Sequence, residues 1–302
     1  MAIVLALLAA GANALATVLQ RIGVEEAAPA DGRRRALMAK VIRRPIWFAG
    51  LALTTASFLL LAVALSLGDL STVQPIMVTE LLFLLAILGL WFHRSLGWRE
   101  WLGATGTATG LGAFLALSSP GGGQLRPTRT DWVLLLAACV GAVVLSTASA
   151  QRGPRSWRAA CFGVAGGITF ALTAAFIKTA ADEWSKGPVF VLTHWQAYGV
   201  AVSGLAGLVI SQHALDAGPV AASQSSLLIV NPLASIVMGV WLFGDHLRHS
   251  GGLGTAEAVS LCVMFASLFV LSSSPLIASA AHEENLSGHR ALQGASTGSV
   301  SR

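Results

Sequence analysis

Nine stretches of this chain are long enough and apolar enough to cross a lipid bilayer as helices. They lie at 2–19, 46–67, 70–92, 101–117, 132–150, 159–180, 189–211, 219–243 and 254–271. A bilayer core requires about 20 apolar residues per helix, and the chain is 55% hydrophobic and only 11% charged, with a mean hydropathy of +0.71. Because lipid offers no hydrogen bonds to the backbone, such spans must be helical or form a closed barrel. The length of these spans predicts an all-α polytopic membrane protein with about nine transmembrane helices.

Two segments of the chain, 64–92 and 214–242, align with a constant offset of 150 residues. The matched pairs include apolar residues, which are common here, but also a glutamine, two glycines and a tryptophan, which rarely match by chance. The pairs are Ala64 with Ala214, Leu65 with Leu215, Gly68 with Gly218, Gln74 with Gln224, Gly89 with Gly239 and Trp91 with Trp241. Duplicated halves of apolar helices are typical of secondary transporters.

The duplication divides the chain into four parts. Residues 1–120 form a first repeat with spans 1–4, 121–158 a connector with span 5, and 159–278 a second repeat with spans 6–9. An odd number of helices separates equivalent spans, so the two four-helix repeats are predicted to be inserted in opposite orientations. Residues 279–302 are rich in polar and small residues and are predicted to be a disordered cytoplasmic tail.

The basic residues indicate the orientation in the membrane. One face carries seven Lys and Arg in 20–45, two in 93–100, three in 151–158 and two in the tail, whereas the other carries Arg126, Arg129, Lys186 and Arg248. By the positive-inside rule the basic-rich face is cytoplasmic. We therefore expect a multi-pass protein of the cell membrane with its N-terminus outside and its C-terminus in the cytoplasm. This distribution argues for the lipid bilayer as partner and against nucleic acid.

Glu80 is the acidic residue placed deepest in an apolar span, close to the middle of span 3. A carboxylate at that depth costs at least about 2.5 kcal/mol unless it faces protein or water. Such a group is a candidate for substrate binding or proton coupling. The alternative is a structural glutamate that joins two helices by a hydrogen bond.

Other polar residues in the spans are predicted to line a substrate or coupling cavity with Glu80. Spacings of seven and four put Gln224, Asn231 and Ser235 on one helix face. Both equivalent helices also contain a proline, and we expect a helix break at each, because proline frees a backbone carbonyl and such breaks line cavities in transporters. The predicted cavity residues are Glu80, Gln74, Asn13, Thr17, Gln224, Asn231 and Ser235, and the predicted breaks are at Pro75 and Pro232.

Two further features have structural interpretations. Span 4 contains Gly103, Gly106, Gly110 and Gly112, which predict close contact between helices. Lys178 lies near the outer end of span 6 and is expected to extend its ammonium to the lipid headgroups.

The chain contains no hydrolase or nucleotide-binding signature and no metal-ligand spacing, so we expect neither an enzyme nor a bound cofactor or metal.

The run LSTVQP at 70–75, leading to Glu80 and then GLW at 89–91, resembles the drug/metabolite transporter (DMT, EamA-like) superfamily. So do SQ at 223–224, NP at 231–232 and WLFGD at 241–245, where Gly244-Asp245 is a close variant of the Gly-Glu pair that commonly ends this helix. The nine-span arrangement is similar to the NIPA-like magnesium-transporter branch. The segment around Asn13 is similar to the first helix of small multidrug resistance proteins, which carry a proton-coupling glutamate where this chain has Asn13.

The resemblance implies a secondary transporter of the inner membrane that moves a small metabolite, drug or cation by alternating access. If transport is coupled to protons, the absence of a carboxylate at Asn13 leaves Glu80 as the candidate for the proton-coupling group deep in the membrane. A non-transporting membrane scaffold or assembly subunit is the alternative, and a homodimer remains open. A carrier requires a polar, accessible cavity around Glu80, whereas a scaffold requires Glu80 to be enclosed by packing.

Overall fold

The structure, a computed structural model, describes residues 1–27, 45–90, 97–117, 127–245 and 252–273. All regular secondary structure in these ranges is helical, without a strand. The prediction of an all-α chain is therefore confirmed for the described part. The predicted tail at 279–302 and most of the basic loop before residue 45 lie outside it.

Eleven α-helices follow one another in the described ranges. They are α1 (Ala2–Ala27), α2 (Pro45–Leu67), α3 (Leu70–Met77), α4 (Glu80–Leu90), α5 (Trp98–Leu117), α6 (Arg129–Ala150), α7 (Arg155–Asp182), α8 (Pro188–Thr193), α9 (Trp195–Ala217), α10 (Val220–Met238) and α11 (Gly252–Ser272). A short 3₁₀-helix (Trp184–Lys186) precedes α8, and a π-helical turn (Gly239–Phe243) ends α10.

Eight segments of the described chain are long and apolar enough to cross a membrane. They are Ala2–Gln20, Pro45–Leu67, Leu70–Leu90, Arg129–Ala150, Arg155–Asp182, Trp195–Ala217, Val220–Phe243 and Gly254–Ser272. These segments correspond to eight of the nine expected spans. The other, 101–117, falls in α5, which has 20 residues but includes Arg99, Glu100 and three threonines. Its length suits a membrane crossing, and its composition is less apolar than that of the others.

Helix α7 lies at the centre of the bundle, with 67% of its apolar segment buried, whereas the corresponding value for α6 is 17%. Helix α7 packs against α9 and α10, and α1 packs along α2. The contact between α7 and α10 is close because glycines face the partner backbone: a Cβ on Gly163 would lie 2.3 Å from the Ser223 carbonyl oxygen, and one on Gly167 would lie 3.0 Å from Asn231 N. Small residues thus allow these two helices to touch.

Helices α5 and α11 form a second close, antiparallel pair. Cβ atoms on Gly103, Gly106 and Gly110 would lie within 3 Å of Leu271, Ser267 and Met264 respectively, so the numbering rises on one helix as it falls on the other. The predicted contact role of these three glycines is confirmed. The prediction is wrong for Gly112, which has no neighbouring heavy atom within 4 Å of a built Cβ.

The third predicted span is divided into α3 and α4. Val78 N donates to Pro75 O and Thr79 N to Ile76 O, so the chain passes through a tight turn at 78–79 before α4 begins at Glu80. Pro75 lies within α3 and is fully buried. Because proline lacks an N–H and clashes with the preceding turn, a break close to it is expected, and the structure has one three residues later.

The second half of the chain differs from expectation at two positions. Helix α10 continues through Pro232, and its irregular turn comes later, at Gly239–Phe243. The predicted seventh span, 189–211, begins instead with the short α8, after which His194 is extended and the long α9 starts at Trp195. Gly187, with a φ of 103°, ends the preceding 3₁₀-helix in a conformation that favours glycine.

Candidate functional site

Glu80 is the first residue of α4, directly after the break in span 3, and its carboxyl group meets α1. Asn13 Nδ2 donates a hydrogen bond of 2.7 Å to Glu80 Oε1. Both side chains are half-buried. The two residues are 67 positions apart in the chain, and the apolar pattern predicts the depth of each but not their contact.

The other polar residues of α1 do not meet Glu80 by hydrogen bonds. Thr17 is exposed, and its hydroxyl donates to Asn13 O within the same helix, at 3.0 Å. Gln20 Nε2 donates to Thr54 Oγ1 on α2 at 2.9 Å. Of these three polar residues of α1, Asn13 is therefore the one that bonds to the Glu80 carboxyl group.

Gln74 is buried, at 4% exposure, on α3, every residue of which from Leu70 to Ile76 is buried. This short helix contacts α1, α7 and α10 and so lies inside the bundle. Gln74 is thus enclosed between helices, as a cavity or core residue would be.

The predicted residues on α10 include two buried polar atoms without a hydrogen-bond partner. Within the described part of the chain Asn231 Oδ1 and Ser235 Oγ are both inaccessible and unpaired, and Ser235 as a whole is 0% exposed. They are one turn apart and so share a face of α10, beside the fully buried Pro232. Gln224, two turns earlier, is half-buried. An unpaired buried acceptor costs about 1–3 kcal/mol. These two oxygen atoms can therefore take part in hydrogen bonds that the packing of α10 does not provide.

The structure thus arranges the predicted residues in two polar groups. Asn13 and Glu80 are joined across α1 and α4, whereas Asn231 and Ser235 lie on α10, close to the centre of the bundle against α7. Within the ranges described, no cluster of three or more His, Cys, Asp or Glu residues could hold a metal ion.

Lys178 contradicts the expectation that its ammonium reaches the headgroups. The side chain is buried at 4% exposure, and Nζ donates to Leu65 O at 3.1 Å and to Gly68 O at 2.9 Å. The ammonium also lies 5.4 Å from the centroid of the Phe243 ring. Lys178 is retained inside because the end of α2 supplies carbonyl oxygens that α2 itself does not use.

Asp245, which the sequence analysis placed only at the end of a helix, is equally buried, at 3% exposure. Its Oδ2 accepts a 2.9 Å hydrogen bond from Ser71 N, and its Oδ1 has no partner among the described residues. Gly244, with a φ of 69°, turns the chain back so that Asp245 points inward. In the sequence, Asp245 was marked only by the pair Gly244-Asp245, which resembles the Gly-Glu pair of the superfamily.

Comparison with known proteins supplies no function. No family model matches the chain, and no solved structure matches it. The chain is similar to an uncharacterized protein of Corynebacterium glutamicum, with 26% identity over 246 residues. The aligned part covers 81% of this chain and 85% of the relative, so the similarity extends over most of both. The superfamily resemblance therefore stays a prediction.

Proposed function

We propose that this protein is a secondary membrane transporter of the DMT type that moves a small solute by alternating access. The observation that carries the proposal is the position of Glu80: a carboxyl group at mid-span, at a break between two helices, half-buried and bonded to Asn13. Ionisable groups at this depth mark substrate and ion pathways in membrane proteins, and broken helices line their binding sites.

A non-transporting scaffold explains the same residues less well. A structural glutamate would be enclosed by packing, whereas the Glu80 side chain retains partial exposure. A scaffold would also have no reason to keep Asn231 Oδ1 and Ser235 Oγ buried and unpaired, since apolar side chains of similar shape would be more stable there. Both groups have the capacity to bind a polar solute.

The pairing of the halves supports the inverted-repeat arrangement. Gly68, in the turn between α2 and α3, packs against Ala2 at the start of α1, and Gly218, in the turn between α9 and α10, packs against Arg155 O at the start of α7. Equivalent turns thus make equivalent contacts in the two halves. The antiparallel contact of α5 with α11 also agrees with two oppositely inserted repeats.

In the proposed mechanism Glu80 exchanges a proton for a cationic or polar solute, and Asn13 positions its carboxyl group. The protein would lie in the cell membrane with its N-terminus outside. The substrate class remains drug, amino acid, nucleotide precursor or divalent cation.

The test is uptake of a labelled solute panel into proteoliposomes of the full chain under a pH gradient. Glu80→Gln keeps the side-chain shape but removes the charge, and we expect it to fold while losing at least about tenfold of the pH-driven flux, the factor equivalent to one charge-assisted hydrogen bond. Glu183→Gln, at a glutamate in the segment after α7 that bonds to Lys186 at 3.3 Å, is the control and should transport like the parent chain.

Two outcomes would count against the proposal. Uptake of no solute from the panel by folded protein would favour the scaffold. Transport by Glu80→Gln with the pH dependence of the parent chain would show that coupling does not use this carboxyl group.

A further inference from the structure

The turn between α2 and α3 is held by two charged side chains from the second half of the chain. A helix ends with carbonyl groups that have no intrahelical partner, and the next helix begins with free N–H groups. Lys178, on α7, bonds to Leu65 O and Gly68 O at the end of α2. Asp245, after the π-helical turn, accepts from Ser71 N at the start of α3.

The signs of these charges suit the positions they occupy. A cation stabilises the C-terminal end of a helix and an anion the N-terminal end, and here the cation binds the end of α2 and the anion the beginning of α3. The two groups also share a neighbour, because the Lys178 ammonium lies over the ring of Phe243, two residues before Asp245. The three hydrogen bonds therefore all act on the turn between α2 and α3.

This turn leads directly into the helix that fills the centre of the bundle. Helix α3 is buried from Leu70 to Ile76, ends at Met77, and is separated from α4 by the tight turn at 78–79. Glu80 follows immediately. A segment of eight residues is thus bonded at its first turn to Asp245 and preceded by a turn bonded to Lys178. Its other end is the turn at 78–79, next to the deep carboxyl group.

We propose that Lys178 and Asp245 form a clamp that closes this end of the bundle, and that its release lets α3 pivot at 78–79 and opens a path to Glu80. The proposal rests on the proposed transport function. Asp245 holds α3 through a single hydrogen bond, while its other oxygen is unpaired. On the side of α3 the clamp therefore consists of one hydrogen bond, which a gate that opens in each transport cycle can break.

The test measures how fast a thiol at the clamped turn reacts. Ser71→Cys is introduced into the full chain after the native Cys139, Cys161 and Cys262 are replaced by alanine, and proteoliposomes are treated with a membrane-impermeant cationic methanethiosulfonate. We expect slow labelling in this background. Asp245→Ala, which removes one hydrogen bond to a charged group, should accelerate it by about tenfold to a hundredfold, and Lys178→Met, which removes two, by at least as much.

Lys186→Met is the matched control, because Lys186 is a cation in the segment that follows α7 but is exposed and bonds to Glu183. It should leave the labelling rate unchanged. Lys178→Arg, which keeps a cationic donor, should label more slowly than Lys178→Met. Size-exclusion chromatography verifies that each variant is folded. If Asp245→Ala does not fold, Lys178→Met alone decides.

An unchanged labelling rate in folded Lys178→Met would overturn the clamp. Faster labelling in the clamp variants, with the Lys186→Met control unchanged, supports it. The labelling requires no solute, so it is independent of transport: faster labelling combined with no uptake of any solute would contradict the proposed function while leaving the clamp in place.

Discussion

At the scale of single residues, two buried serines on α10 differ in one respect that matters for binding. Ser225 Oγ lies 2.5 Å from Ser272 Oγ on α11 and is hydrogen-bonded, whereas Ser235 Oγ has no partner. Both side chains are at most 2% exposed. The first hydroxyl group serves the packing of two helices, and under the proposed function the second would bind the solute.

Alanine substitutions should separate these two roles. Ser225→Ala removes an interhelical hydrogen bond and should lower the free energy of unfolding by about 1 kcal/mol. Ser235→Ala removes no bond and should leave stability unchanged or raise it by up to about 1 kcal/mol, while reducing solute uptake. Thermal unfolding in detergent and uptake in proteoliposomes measure the two effects. A larger loss of stability in Ser235→Ala than in Ser225→Ala would show that Ser235 is structural.

The residues of the candidate site were predictable where depth alone identifies them. Glu80 and Asn231 stand out because a polar group deep in an apolar span is expensive. Lys178 and Asp245 were not identified as buried, because each lies near a span end, where the sequence permits a solvated side chain equally well. Their burial depends on backbone groups of a turn more than 100 residues away, which local sequence does not indicate.

At the scale of helices, the glycines of α5 differ in what they contact. A Cβ on Gly110 would lie 2.6 Å from the backbone nitrogen of Met264, which cannot move without shifting α11. Gly112, on the same helix, faces open space. The two positions therefore offer a matched pair of substitutions.

Gly110→Ala should separate α5 from α11 and lower the free energy of unfolding by about 1–3 kcal/mol, as overpacking does. Gly112→Ala should be neutral or stabilising by up to about 1 kcal/mol, because alanine favours helix without a new contact. Thermal unfolding of the two variants side by side is the measurement. Equal effects at both positions would mean that α5 and α11 do not pack as described.

The helices themselves were largely predictable, because length and apolar content are local properties. Their interruptions were less so. Each of the two predicted breaks rests on a proline, but a break follows Pro75 and α10 runs on through Pro232. Packing against α7 through Gly163 and Gly167 supports α10 in the turns before Pro232, from Ser223 to Asn231, and neighbouring helices are known to compensate for a proline in this way.

At the scale of the whole molecule, the orientation in the membrane is a prediction from the basic residues that can be tested directly. Reporter fusions after Arg44 and at the C-terminus should report the cytoplasm, and a fusion near Arg126 should report the outside, because basic loops are retained inside. The measurement is the activity of a reporter that works on only one side. The reverse pattern, or one side for all three fusions, would contradict the inverted repeat.

The two halves of the bundle are alike in outline but not in detail, which has an energetic consequence. The first half divides its third span into α3 and α4, whereas the second half keeps α10 whole. Under the proposed transport by inverted repeats, exchanging the two conformations would turn the molecule to face the other side of the membrane. The opposite state would then have one continuous helix from Leu70 to Leu90 and a divided α10 near Leu228. Because Pro75 lies just before the break in the first half, whereas Pro232 would lie after a break near Leu228, we expect the two states to differ in strain and one side to be favoured.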